Sequence, residues 1–502
     1  MKLVSDICTY KSLHLPSSKI QINMTVIKHT DSISAKDNLV LVVTAKTDIS
    51  KQGFSAAELA YVKKQIAAEE HIINVNQYER RVTIYVEEKK KEAYQTLEAC
   101  RKAGNRICGV MNTAKVEAVT IVDLVGNAEN ILALAEGMAL GNYQFLYYRQ
   151  NDIKKLANSL KTINLNSKKV KADDVKHLQI IIDATCKARD LVNQPVNHLN
   201  AEQLAKEFEK MGKEAGFKVE VFNKAKITSL KMGGLLAVNR GSIDPPTFTV
   251  MEWKPKNAKN KKPYVLVGKG VVYDTGGLSL KPTANSMDEM KCDMAGGAVV
   301  GCTIYAIAKA NLPVHVIGLV PATDNRPGMN AYVPGDIITM YNGMTVEMLN
   351  ADAEGRMILA DALSYAKKYE PALAIDLATL TGAAAAAIGK YGIVTMGTAD
   401  KRMHDALKKS GEHVFERLVE FPFWDEYADL LKTDIADMKN IGGPVAGAIT
   451  AGKFLEKYTS YPWLHFDIAG PAFINAPYDY KPKGGTGVGV RLLVDFLSNI
   501  KG

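Results

Sequence analysis

The sequence predicts an α/β protein in two parts. A small N-terminal α/β domain precedes a larger C-terminal α/β domain, whose central, mostly parallel or mixed sheet is covered by helices. Three observations carry that expectation. Strand-like and helix-like periodicities alternate along residues 1–150. Short, nearly continuous apolar runs recur through residues 176–502, as strands buried on both faces require. Between them, residues 151–175 are polar, lysine-rich and weakly patterned, which reads as a linker.

In the first domain, Asn38–Thr44 and Arg81–Val86 are β-branched runs, and Ser55–Ala68 and Ala128–Leu140 repeat apolar residues at helical spacing. The second domain opens on a helical stretch from His177 to Asp190; Pro195 follows, and Asn200 opens another helix. Phe248–Trp253, Tyr264–Val272, Val314–Val320, Leu373–Leu377 and Ile393–Met396 are the expected strands. Helices fit Gly297–Ala310 and Arg356–Lys368, and no internal repeat or low-complexity segment is present.

Composition sets further bounds. At 47% apolar and 23% charged residues the chain has ample material for a core, and 502 residues suit two or three domains. The six cysteines (Cys8, Cys100, Cys108, Cys186, Cys292, Cys302) form no CxxC pair, a sparse usage that fits a reducing compartment. Met1–Leu15 lacks an apolar core of signal-peptide length, and the longest apolar stretch, Leu377–Gly389, is too short to span a bilayer. A cytoplasmic protein with no membrane partner is expected. The net charge is +9, with 25 Lys and Arg against 19 Asp and Glu in residues 1–175. That excess is dispersed, and its densest run, Lys254–Lys262, reads as a solvated hairpin loop; support for a nucleic-acid partner is weak.

The chain lacks HExxH, GxSxG and a complete GxxxxGK[ST] phosphate loop, and none of its nine histidines stands at ligand spacing from another. Carboxylates and lysines at the ends of apolar strands stand out instead. One cluster runs through Val267–Gly277, Lys281 and Lys291–Gly297, with Lys269, Asp274 and Asp293; the other is Asn350–Arg356, with Asp352, Glu354 and Arg356. A lone buried ion costs several kcal/mol, so such charges need partners, and metal ions are efficient ones. Four carboxylates would balance two divalent cations, and hard oxygen donors suit Mn²⁺, Zn²⁺ or Mg²⁺. For any one aspartate, an N-cap or a surface ion pair is the commoner explanation; the cluster as a whole weakens it. Lys269, flanked by glycines inside an apolar strand, is either a salt-bridged lysine or one that loses its proton beside cations and becomes an amine ligand. Lys281 could stabilise an oxyanion, and Arg356 either grips an anion or pairs with a neighbouring carboxylate.

Residues Val267–Gly277, Lys281–Pro282, Asp293–Gly297 and Asn350–Arg356 resemble the leucyl aminopeptidase (cytosolic leucine aminopeptidase) family, as do Ala188–Pro195, Asp376–Gly382, Gly447–Ala451 and His465–Pro471. The resemblance covers about residues 180–500 and implies a dinuclear metallopeptidase. It implies that Asp274 and Glu354 bridge two divalent ions, that Lys269 and Asp293 complete the tighter site, and that Asp352 serves the more exchangeable one. Lys281 would polarise the scissile carbonyl, and Arg356 would anchor a bicarbonate acting as base. Thr379 and Leu380 would offer backbone groups to the substrate, a peptide with a free N-terminus, and Met290 would line its first side-chain pocket. A homohexamer is also implied. Two departures stand out: Ala351 replaces the family's usual threonine, and Ser286 looks like a one-residue insertion. A DNA-binding or architectural role, known among some relatives, and a two-metal phosphoesterase are the alternative readings; the lysine ligand argues against the second.

Overall fold

Six strands build the N-terminal sheet: β1 (Val26–His29), β2 (Leu39–Val43), β3 (Ile72–Asn76), β4 (Arg81–Val86), β5 (Ala118–Asp123) and β6 (Thr162–Asn166). They lie in the order β1-β6-β5-β2-β4-β3, all neighbours parallel except β3 against β4. The computed structural model describes residues 24–149 and 151–500, so Cys8 and Met1–Leu15 lie outside the described residues. β2 is buried along its whole length, which is why its sequence is continuously apolar rather than alternating. Helix Ala56–Ala67 starts on a Ser55/Glu58 capping box. Helices Ala93–Thr113 and Ala128–Gly141 touch backbone to backbone: a Cβ on Gly104 would sit 2.1 Å from the Leu134 carbonyl oxygen, and one on Gly137 1.9 Å from that of Arg101.

Residues 151–175 are more than a connection. β6 falls among them and inserts between β1 and β5, so the first sheet is complete only at Asn166. Its signal in the sequence is faint because only Ile163 and Leu165 point inward. Helix Ala172–Asn193 then joins the two domains, giving Val175, Leu178 and Ile182 to the N-terminal core and Ala184, Ala188 and Leu191 to the larger one.

The second sheet contains β7 (Lys218–Phe222), β8 (Thr247–Trp253), β9 (Tyr264–Gly268), β10 (Gly270–Asp274), β11 (Val316–Asn325), β14 (Leu373–Ala378), β15 (Ile393–Gly397), β16 (Leu418–Glu420) and β18 (Trp463–Asp467); β12 (Asp336–Thr339), β13 (Thr345–Met348) and β17 (Met438–Lys439) form a small sheet beside it. Its order is β16-β15-β18-β14-β9-β11-β8-β7, with β10 continuing the pairing on β11. The centre, β18-β14-β9-β11, is parallel, and β15, β8 and β7 join antiparallel toward the edges. Helices cover both faces: Ala201–Ala215, Ala295–Lys309 and Val490–Ser498 on one, Glu354–Ala366 and Gly447–Glu456 on the other.

Two expectations change in detail. Tyr264–Val272 is two strands, interrupted at Lys269, with a register shift on β11 between Val271 and Asp274. Lys254–Lys262 is an exposed connection but not a hairpin, because β8 and β9 lie on opposite sides of β11; Val316 pairs with Trp253 on one side and Tyr264 on the other. No helix among the described residues is long and apolar enough to cross a membrane.

Candidate active site

The parallel centre of the sheet delivers its charged residues to one edge. Lys269 follows β9, Asp274 ends β10, Asn325 ends β11, Thr379 follows β14 and Asp467 ends β18. These are the carboxyl ends of the strands, the edge at which open α/β sheets bind ligands. Asp293 arrives on a 3₁₀ helix, Met287–Met294, and Glu354 opens helix Glu354–Ala366.

Each of two lysines serves a pair of carboxylates. Lys269 Nζ lies 2.7 Å from Asp293 Oδ1 and 2.9 Å from Glu354 Oε1, and donates to the Thr379 carbonyl at 3.0 Å. Lys281 Nζ lies 3.0 Å from Asp274 Oδ2 and also pairs with Asp352 Oδ1. Lys269, Asp274, Asp293 and Glu354 are all buried, while Lys281 and Asp352 stand nearer solvent. Oxygens of Asp274, Asp352 and Glu354 fall within 4.8 Å of one another.

The electrostatics are unbalanced. Four carboxylates face two ammonium groups, and Asp293 Oδ2 and Glu354 Oε2 are buried without a hydrogen-bond donor. Burial, then the neighbouring carboxylates, pushes Asp293 and Glu354 above the ordinary carboxylate range and Asp352 up to about 7. Burial opposes the charge on both lysines, but the carboxylates beside them overcome it and hold both above the usual lysine value. A residual negative charge with bare, buried oxygens is what a pair of divalent cations would satisfy, so the donor set fits a dinuclear centre.

Glycines create the room. Gly276 has φ +84° and Gly277 φ +59°, and Gly276 N donates to Asp274 Oδ1 at 2.8 Å. A Cβ on Gly355 would fall 2.4 Å from Lys269 Cε, and one on Gly296 1.9 Å from the Leu377 carbonyl oxygen.

The remaining residues singled out in the sequence ring this cluster. Thr379 donates its hydroxyl to Asp293 Oδ1 at 2.8 Å, and Leu380 N donates to Asp467 Oδ1 at 3.2 Å, so both already have partners within the chain. Met290 is half-buried on the 3₁₀ helix that carries Asp293. Arg356 Nη1 donates to the Asn440 carbonyl at 2.7 Å while Nε is buried without an acceptor, and burial holds its pKa down to about 10. Ala351 is fully buried, and Ser286 begins the 3₁₀ helix just after Asn285, a residue with φ +57°.

Four supporting residues escaped the sequence reading. Asn325 Nδ2 donates to Asp274 Oδ1 (2.8 Å) and to the Ala351 carbonyl (2.9 Å), which Tyr332 OH also holds at 3.0 Å. Asn440 Oδ1 accepts from Leu349 N and Asn350 N, and Asp467 Oδ2 accepts from Thr381 at 2.7 Å. The only signal open to a sequence reading is a polar residue closing an apolar strand, as Asn325 and Asp467 do.

Residues 186–494 match the catalytic domain of the cytosol aminopeptidase family. A probable cytosol aminopeptidase from Chloroherpeton thalassium is 40% identical over 506 residues, covering 94% of this chain and 96% of the relative. The chain belongs to the cytosol aminopeptidase family. One from Chlorobaculum parvum is 56% identical over 315 residues, a match spanning 62% of each protein. Among solved structures, a tomato leucine aminopeptidase mutant superposes with TM-score 0.83 at 25% identity, covering 96% of this chain and 98% of that one. The bottromycin maturation enzyme BotP in complex with Mn does so with TM-score 0.81 at 28% identity, covering 92% and 99%. As a member of this metal-dependent family, the protein is an aminopeptidase, a peptide hydrolase.

Proposed function

We propose that the chain removes single residues, leucine and other apolar ones foremost, from the free N-termini of peptides at a two-metal centre held by Lys269, Asp274, Asp293, Asp352 and Glu354. The observation that carries this reading is the buried, net-negative cluster at the carboxyl ends of the central strands, with two carboxylate oxygens left bare. Asp274 and Glu354 would serve both ions, Lys269 and Asp293 would complete one position, and Asp352 would complete the other. Mn²⁺ or Zn²⁺ suits this set, with Mg²⁺ a harder alternative. Bound there, the ions would supply Lewis acidity and a water of lowered pKa.

The chain's own residues do the rest. Lys281, closer to solvent than Lys269, reaches the scissile carbonyl and stabilises the developing oxyanion. With every carboxylate of the cluster serving as a metal ligand, the proton acceptor would come from outside the set; the unpaired Nε of Arg356 supports a role for it in anchoring a bicarbonate for that task. Leu380 and Thr379 border the substrate with their backbone, and Met290 faces its first side chain. A homohexamer in the cytoplasm is the assembly and location that accord with the family resemblance.

The deciding experiment strips the protein of metal, restores Mn²⁺ or Zn²⁺, and follows hydrolysis of leucine p-nitroanilide and Leu-Gly. Metal-restored cleavage that N-acetylation of the substrate abolishes is the expected result. Folded protein that cleaves neither substrate with either metal would overturn the reading.

A further inference from the structure

Asn325 closes β11 and is fully buried. Its Nδ2 donates to Asp274 Oδ1 at 2.8 Å and to the Ala351 carbonyl at 2.9 Å, partners 51 and 26 residues away along the chain. Asp274 stands on one side of the metal cluster, and Ala351 leads directly into Asp352 and Glu354 on the other. Asn325 is itself held in place: its backbone carbonyl accepts from Thr275 N at 3.1 Å and from Thr275 Oγ1 at 2.8 Å.

The chemistry of this position suits a carboxamide. Asp274 Oδ1 and the Ala351 carbonyl are both acceptors, so one atom must carry two hydrogens to serve them together, as an amide nitrogen does. The same acceptors fix the orientation of the amide, because the reverse would set its oxygen against a carboxylate and a carbonyl. That oxygen lies against the backbone of Gly277, where a Cβ would come within 2.7 Å of it, and it is buried without a donor. A buried oxygen in this state is unfavourable, so packing alone does not account for an asparagine here.

Other contacts hold these segments differently. Gly276 N reaches the same Asp274 oxygen from the adjoining turn, and Tyr332 OH reaches the same Ala351 carbonyl with no hydrogen bond to Asp274 among the described residues. Lys281 does span Asp274 and Asp352, but it stands nearer solvent and is the group proposed to turn toward the substrate.

We propose that Asn325 is the positioning residue that couples the two metal positions, holding Asp274 in register with the segment that carries Asp352 and Glu354. The proposal rests on the two-metal reading of the site. Partners that orient metal ligands from outside typically contribute about 10–100-fold in metal affinity. Since Asp274 would serve both ions, loss of this brace should reach both.

Stepwise calorimetric titration of metal-stripped full-length protein with Mn²⁺ reads the two Kd values separately. Asn325→Leu, which keeps the branched shape and removes both donations, is expected to weaken each ion by about 10–100-fold. Asn325→Ala carries the same expectation and stands in if the leucine variant does not fold. Tyr332→Phe, which frees only the Ala351 carbonyl, should weaken the ion completed by Asp352 and leave the other within about threefold of wild type. A residue that merely supported the fold would lower Tm and leave both Kd values of the folded protein in place. A folded Asn325 variant in which either ion binds within about threefold of wild type would overturn the proposal. So would Tyr332→Phe weakening both ions as much as Asn325→Leu. Failure of the two-metal reading would register separately, in wild type that takes up fewer than two ions per chain, and would overturn the proposal along with it.

Discussion

Replacing Glu136 by glutamine removes one charge from the junction between the domains and leaves two buried guanidinium groups facing a neutral amide. Burial alone would raise the pKa of Glu136, but Arg491 and Arg101 hold it down to about 2, against 4.5 for an ordinary glutamate. At about 1.4 kcal/mol per unit, that depression corresponds to about 3 kcal/mol of folding free energy at neutral pH. Removing one partner from a buried ion pair costs a similar ~3–5 kcal/mol. Glu136→Gln is therefore expected to lower stability by about 3 kcal/mol at pH 7, read from urea denaturation of the two proteins side by side. The sign of the pH dependence follows from the depressed pKa: the stabilisation is complete above the unfolded value of 4.5 and drains away as pH falls toward about 2. The gap between wild type and variant should accordingly narrow below about pH 4.5. A gap under about 1 kcal/mol at pH 7, or one equally wide at about pH 3.5, would refute the reasoning.

Gly355→Ala drives a methyl group into Lys269 and should lower the metal content measured by elemental analysis, with the circular dichroism spectrum unchanged. Lys281→Ala and Arg356→Ala are each expected to cut kcat by about 10²-fold or more in folded protein; unchanged turnover would remove that residue from the mechanism. Glu354→Gln should lose metal and activity together, since this residue is proposed to touch both ions. Asp190 is held by burial at a pKa of about 6 despite bonds from Tyr143 and Tyr147, so its contribution to stability is present below about 3.8 and lost as pH rises through 6. Asp190→Asn should therefore stabilise the protein at pH 8 by about 1–3 kcal/mol, and a lower Tm at that pH would contradict this.

Local chemistry determined what could be read in advance. β4 was legible to the residue, Arg81–Val86, because a β-branched run buried on one sheet carries its own signal. The cluster residues were legible because a charge interrupting an apolar strand is anomalous wherever the strand sits. Helix Ala93–Thr113 was not, since its buried face mixes Leu97, Cys100, Ile107 and Met111 with the charged Glu98 and Arg101. Tyr332 and Asn440 were invisible, and Asn325 carried only the faint mark of a polar residue closing an apolar strand, for a different reason. Each has its partner far along the chain, and only the folded arrangement of β11, the connection after it, and the β13–β17 pair brings them to Ala351 and Asn350. The hairpin expected at Lys254–Lys262 failed likewise, because the insertion of β11 between β8 and β9 is a long-range event.

The six charged groups of the cluster reach it from four separate places: the break after β9, the end of β10 with its glycine turn, the 3₁₀ helix, and the approach to helix Glu354–Ala366. No short stretch of unfolded chain contains that set. An ion that recognises the assembled group therefore binds the folded state and not its precursor, and stabilises it by about 2.7 kcal/mol at a hundredfold excess over Kd. Metal supply would thus bear on the stability of the larger domain as well as on its turnover. The N-terminal sheet, which contributes nothing to the cluster, would share that protection through helix Ala172–Asn193, which packs into both cores, and through the Arg101–Glu136–Arg491 bridge.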